Sequence, residues 1–229
     1  MPAEGEPAGL TLAPEAKLDN LVQRLGASPS SQQQVRIIVP SRYHQKALTI
    51  YTVGHSTRTL SQLVELLRAN GVDRLVDVRT APGSRRLAHF ARAALAAELP
   101  PHGIEYAHLP ELGGLRKPRP DSVNTGWRNL SFRGYADYMA SDAFGAGIEV
   151  LLELATGHTV ATMCAEAVPW RCHRSLIADA LLVRGVEVLE IVGPATPRPH
   201  RMTPFAVVRE GRIEYPPSAE QEDLTFNST

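Results

Sequence analysis

The chain has 229 residues, 43% of them hydrophobic and 21% charged, and its 24 basic side chains balance its 24 acidic ones. Zero formal charge and a pI near 7.1 exclude a global basic field of the kind that draws a protein to nucleic acid, while leaving a local basic patch open. No apolar run approaches the roughly 18 residues that a membrane span requires, and two cysteines are too few for a disulfide framework.

The chain starts acidic and lacks a basic-then-apolar leader, so the expectation is a cytoplasmic protein with no membrane segment and reduced thiols. Residues 1–47 read as a partly disordered N-terminal extension. The first ten are rich in Pro, Gly, Ala and Glu. Residues 15–25 form a short amphipathic helix on the spacing of Leu18, Leu21, Val22 and Leu25. Residues 35–39 have strand composition, cut short by Pro40.

A single α/β domain is expected over residues 48–215. Residues 48–53 are a strand, and residues 60–69 a helix with a capping box at Thr59 and Gln62 and a buried face of Leu63, Val64, Leu66 and Leu67. Residues 74–78 (RLVDV) are the next strand, and so short a strand-helix-strand unit implies parallel pairing. A loop bearing Arg85, Arg86 and His89 leads to a helix over 91–99 and a third strand over 104–109. Residues 115–135, with Trp127 among several arginines, read as a surface insertion. Helical patches at 135–139 and 148–155 precede a buried strand over 159–163, a helix over 175–183 closed by Gly185, and a last strand over 186–192. Residues 205–215 suggest an edge hairpin at Glu210-Gly211, and residues 216–229 are a polar tail. The alternation predicts a Rossmann-like, open, mostly parallel sheet with helices on both faces.

Such sheets bind ligands beyond the carboxyl ends of their strands. Applied strand by strand, that rule gathers His55 and Ser56, then Asp77 and Arg79, then His108 and Glu111, then Cys164 and Glu166 on one rim, with Cys172, His173 and Arg174 opening the last helix. A thiol at a strand end, facing a helix N-terminus and arginines, has its pKa lowered and becomes a nucleophile. Cys164 is the first candidate and Cys172 the second, or its resolving partner. His55 or His173 would move protons and Glu166 would orient the site. Arg79 and Arg174 would hold an anion, because guanidinium recognises phosphate and carboxylate bidentately. Asp77, Glu111 and Ser56 would complete the substrate contacts.

Each has a plainer alternative. Free cysteines are often core residues, Asp77 can simply pair with Arg79, and Gly113-Gly114 can serve a tight turn or a close approach. Cys164, Cys172 and His173 could also hold a metal, although their spacing matches no standard zinc knuckle.

In order along the chain, YTVGHS (51–56), VDVR (76–79), LGG (112–114), Cys164-Ala-Glu166 and Cys172-His-Arg174 resemble the motifs of the domain-of-unknown-function family 488. The resemblance covers about residues 48–195 and implies an α/β domain with two cysteine motifs as its hallmark. More distantly, a cysteine between a central strand and a helix is similar to rhodanese-type domains and cysteine-dependent phosphatases. Here, however, Trp170 lies six positions after Cys164, where phosphatases carry Arg.

The expectation is a cysteine-dependent enzyme of group transfer or hydrolysis on an anionic small molecule or nucleotide. A non-catalytic nucleotide- or nucleic-acid-binding module and a metal-binding protein are the alternatives. Which cofactor serves it, if any, is not readable.

Overall fold

The opening strand β1 (Thr49–Gly54) occupies the interior of a six-stranded sheet in a computed structural model that describes residues 48–83 and 87–217. The expectations for residues 1–47, Arg85, Arg86 and most of the polar tail lie outside those residues. The other strands of the sheet are β2 (Arg74–Asp77), β3 (Glu105–His108), β4 (Val160–Cys164), β5 (Glu187–Ile191) and β6 (Arg198–Pro199), in the order β3-β2-β4-β1-β5-β6. The first five are parallel, and β6 pairs with β5 antiparallel. The fold is thus the open, mostly parallel α/β sheet expected, with a short antiparallel strand added at one edge.

Five α-helices are found among the described residues: α1 (Leu60–Ala69), α2 (Arg92–Glu98), α3 (Leu130–Met139), α4 (Asp142–Leu154) and α5 (Arg174–Val183). The capping box of α1 is formed: Thr59 Oγ1 accepts from Gln62 N at 3.2 Å, and Gln62 Oε1 accepts from Thr59 N at 2.9 Å. Helices α3 and α4 start five and six residues earlier than their apolar patches suggest. Asn129 and Ser141 cap them and carry the helices through Gly134, Gly145 and Gly147.

The winding direction reverses once. From β1 the chain steps to β2 and β3 on one side, then returns through β4 to β5 on the other. With right-handed crossovers, the two directions put their helices on opposite faces, and the core divides accordingly. One half packs α1 and α2 on Val53, Leu75, Ala161, Met163 and Ile191. The other packs α3, α4 and α5 on Ile50, Val76, Val160 and Val188. Strand side chains alternate between faces, so these two sets label each face of the sheet. Strand β4 leads to one face while its neighbours β1 and β2 lead to the other, which opens a crevice on each side of its carboxyl end.

Residues 205–215 do form a hairpin, β7 (Val207–Arg209) and β8 (Arg212–Glu214), with positive φ at Glu210 and Gly211. It is a separate two-stranded sheet and does not extend the main one. A buried polar group fastens this end. Asp179 on α5 accepts from Thr203 Oγ1 (2.7 Å) and Tyr215 Oη (2.9 Å). It also pairs with His200 at 2.8 Å, whose other nitrogen meets Glu190 at 2.7 Å.

Burial pulls the His200 pKa down, but its bonds to Asp179 and Glu190 outweigh burial and lift it from 6.5 to about 9. A raised pKa contributes stability that is complete below 6.5 and disappears as pH rises through about 9. Hydrogen exchange around Thr203 should therefore stay slow at neutral pH and accelerate above pH 9, beyond its intrinsic base catalysis.

Residues 115–135 run largely at the surface but are anchored to the body at two points. Buried Asn124 accepts from Tyr215 N at 2.9 Å and donates to Asp137 at 2.8 Å. Trp127 is packed against Phe132, Phe205 and Tyr215, with ring centroids 4.8–5.5 Å away.

Candidate functional site

Strand register decides which rim residues meet. Gly54 lies directly opposite Cys164, and Asp77 opposite Met163. Cys164 therefore shares a face with Gly54, Thr52 and α5, whereas His55 and Asp77 project toward α1 and α2. The polar residues all stand at the carboxyl rim, but they separate into two groups.

The group on the α1 and α2 face is a closed clasp. Asp77, fully buried, accepts from Arg79 Nε at 2.8 Å and Nη2 at 2.6 Å, from the Arg79 backbone N–H at 3.0 Å, and from Tyr106 Oη at 2.9 Å. Arg79 also donates to the Phe90 carbonyl at 2.7 Å and to His55 Nε2 at 3.1 Å. His55 Nδ1 donates to the Ser56 carbonyl at 2.9 Å, and the ring stacks on Phe90 at 4.2 Å. Burial pushes the His55 pKa down to about 4, so the ring is neutral and both its nitrogens are engaged. Ser56 takes a positive φ of 49° and donates its N–H to the Ala165 carbonyl at 2.8 Å. His55, Asp77 and Arg79 are thus bonded to one another and not to the thiols.

Tyr106→Phe removes one hydrogen bond to the Asp77 carboxylate and should cost about 1.5 kcal/mol in denaturant unfolding. It should leave the thiol titration on the opposite face unchanged.

The group on the α5 face holds both cysteines, free and buried. Cys164 ends β4 and Cys172 follows the short 3₁₀ turn Pro169–Arg171. His173 Nδ1 lies 3.9 Å from Cys164 Sγ and 3.7 Å from Cys172 Sγ. Its Nε2 meets the Val78 carbonyl at 3.3 Å, which can only accept. That contact assigns a proton to Nε2 and turns Nδ1 toward the two sulfurs.

Tyr135 packs its ring 5.0 Å from the imidazole, and Gly114 closes the other side. A Cβ on Gly114 would stand 2.4 Å from Nδ1, so the close approach implied by Gly113-Gly114 is to His173 itself.

Arg174 is 1% exposed and buried with them. It donates to Thr52 Oγ1 at 2.8 Å and to the Glu166 carbonyl at 2.6 Å, while its Nε has no partner. No carboxylate of the described residues pairs with it.

The thiol pair responds to these neighbours in opposite directions. The hydrogen bond from Cys164, then those of His173 and the charge of Arg174, pull Cys172 down to about 3 against its burial. The same bond to Cys172, together with burial, raises Cys164. One thiolate stabilised by its neighbouring thiol is the state these contacts favour.

Glu166 and Glu111 contribute main-chain carbonyls rather than carboxylates. The Glu111 carbonyl accepts from Tyr138 Oη at 2.7 Å and from Arg116 at 3.1 Å, and both acidic side chains are exposed. Three residues that were given no role in the site take part: Thr52, which binds Arg174; Tyr135, which walls His173; and Gly54, which lets the Glu166 carbonyl approach. A polar Thr at an inward strand position was a readable sign for the first. Nothing local marks Tyr135.

Cys164, Cys172 and His173 offer three donor atoms within 4.8 Å of one another, which could hold a metal ion. A cleft of about 340 Å³ lies against the loop joining the cysteines and is walled by Glu166, Trp170 and Arg171 on one side and Trp127 and Phe132 on the other. No helix of the described residues is long and apolar enough to cross a membrane.

A family model described as domain of unknown function DUF488 matches residues 59–181, more than half of the chain. The chain belongs to that family. The match contains both cysteine motifs, the LGG turn and the Asp77–Arg79 segment, while β1 with His55 and Ser56 lies just before it. No curated protein and no solved structure matches the chain. Neither comparison supports the more distant likeness to rhodanese-type domains.

Proposed function

We propose that this chain is an enzyme that uses a cysteine thiolate for group transfer or hydrolysis on an anionic, nucleotide-like substrate. The observation that carries this reading is Arg174: a buried, fixed positive charge with no carboxylate partner, set beside two thiols. An uncompensated buried charge is expensive, and a thiolate at Cys172 supplies the missing counterion.

Cys172 is favoured as the nucleophile, with Cys164 as the thiol that donates to it, the reverse of the order suggested by strand position. The sulfur forms a bond to the substrate's electrophilic centre. The leaving group departs with the bonding pair and a proton from solvent, and His173 Nδ1 is free to accept the proton of the incoming nucleophile. Water or a second acceptor then displaces the sulfur. With Arg79 and Arg174 turned inward, the exposed Arg171 is a guanidinium on the cysteine loop itself that a substrate anion can reach.

A divalent metal on Cys164, Cys172 and His173 is a second reading, favoured by their convergence. It would neutralise the thiolates and leave Arg174 again without a counter-charge, which makes it the weaker of the two.

Thiol titration with peptide mapping, alongside metal analysis of freshly purified protein, separates these readings. A Cys172 thiolate persisting well below neutral pH with substoichiometric metal supports the enzyme reading. Two thiols titrating near the ordinary value of about 8.5 would overturn it, and one tightly held metal per chain would replace it with the second.

A further inference from the structure

A second, larger cleft of about 710 Å³ opens on the same side of the sheet, beyond Trp170, and the thiol chemistry does not use it. Its size lies within the range typical of small-molecule sites. Trp127, Trp170 and Phe205 supply aromatic wall, and Arg198 and Arg201 supply positive charge, while the lining His200 and Glu190 are paired with one another. Both tryptophans of the chain line this cleft and also the smaller one beside the cysteine loop, so the two spaces adjoin.

Trp170 is 62% exposed, an unusual position for so large an apolar side chain at a cleft mouth. Arg198 and Arg201 are exposed and have no carboxylate partner among the described residues. The acidic groups nearby are already engaged: Glu190 and Asp179 share His200 between them. Two free guanidinium charges therefore exceed the single net negative charge of that buried group. The far wall includes Ser175, whose hydroxyl donates to the Cys172 carbonyl at 3.0 Å, so the cleft backs directly onto the cysteine segment.

We propose that this cleft is a nucleoside-phosphate site, in which Trp170 stacks on the base and Arg198 and Arg201 hold the phosphate. Aromatic faces accept any base, and guanidinium pairs recognise phosphate bidentately. Arg contributes further by stacking. The proposal deepens the reading of an anionic, nucleotide-like substrate and rests on it for the identity of that substrate, but it predicts binding independently of turnover.

Adenosine monophosphate, adenosine and inorganic phosphate titrated against full-length protein, with tryptophan fluorescence as the readout, test it. Adenosine monophosphate should quench saturably, and each lone component should bind at least about tenfold more weakly, the factor expected for a charge-assisted contact. Arg198→Ala and Arg201→Ala, both at exposed positions, should each weaken the nucleotide about tenfold. Trp170→Phe should remove much of the signal while retaining affinity within a few-fold.

Absence of quenching at millimolar nucleotide, or equal binding by adenosine and its monophosphate, or wild-type affinity in both arginine variants, would each overturn the site. The Cys164→Ser, Cys172→Ser double variant distinguishes the two proposals. If it binds nucleotide while wild-type thiols titrate ordinarily, the cleft stands and the thiolate chemistry falls. If nucleotide fails to bind but Cys172 is a low-pKa thiolate, the reverse holds.

Discussion

Replacing Cys164 with alanine should raise the Cys172 pKa from about 3 most of the way toward the ordinary thiol value of about 8.5. The reason lies in the order of the forces. Burial opposes a Cys172 thiolate, and the largest influence in its favour is the hydrogen bond from the neighbouring thiol, ahead of His173 and Arg174. Alanine cannot donate, so burial is then opposed only by the lesser two. The reciprocal variant should move the other way. Cys172→Ala removes the anion and the bond that hold Cys164 protonated, so Cys164 should titrate lower than in the wild type.

Opposite shifts in the two single variants are the signature of one coupled pair, and two independent core thiols would not produce them. Thiolate ultraviolet absorbance against pH, with alkylation and peptide mapping to assign each sulfur, reads both effects. Single variants whose remaining cysteine titrates as it does in the wild type would sink the coupling. Because the pair supplies the nucleophile in the proposed chemistry, the Cys164→Ala profile also sets the pH range over which activity should survive.

Much of this arrangement was legible before any coordinates. Helix α1 follows from Thr59, Gln62 and four spaced apolar residues, and its ends fall where those residues put them. The five parallel strands follow from short, largely apolar runs that alternate with helices along the chain, so a parallel sheet with a functional rim was the natural expectation. Gathering Cys164, Cys172, His173 and Arg174 at that rim needed only the rule that such sheets work at their carboxyl ends.

The division of the rim into two faces was not legible, because it depends on register. Whether His55 meets Cys164 or turns away depends on Gly54 rather than His55 lying opposite that cysteine, and a shift of one residue would reverse it. Register is set by the whole sheet. Nor could the motif reading show that the main-chain carbonyls of Glu166 and Glu111 accept hydrogen bonds at the site. The anchors of the surface stretch 115–135 were not readable because they are distant in sequence. Asn124 is held by Tyr215, 91 residues away. Short-range patterns carry no trace of such a bond.

Gly54→Ala should be among the most damaging single changes at the site, costing about 3 kcal/mol of stability from overpacking. A Cβ there would lie 1.8 Å from the Glu166 carbonyl oxygen, 2.7 Å from its carbon and 2.9 Å from Arg174 Nη2. The first two are main-chain atoms, so no side-chain rotation relieves the clash, and the loop between the cysteines must move. That loop carries the carbonyl that Arg174 donates to at 2.6 Å. Displacing it therefore loosens the guanidinium that stabilises the Cys172 thiolate.

Two results should appear together: a melting temperature lower by about 6–12 °C, from the usual 2–4 °C per kcal/mol in a chain of this size, and a Cys172 pKa above its wild-type value. Gly145→Ala, in α4 with nothing within 4 Å of the added Cβ, is the matched control. It should stabilise by up to about 1 kcal/mol through helix propensity and leave both thiols as they were. If Gly54→Ala melts with the wild type, then Glu166 and Arg174 do not crowd the end of β1, and the packing that positions the thiol pair is not the one described.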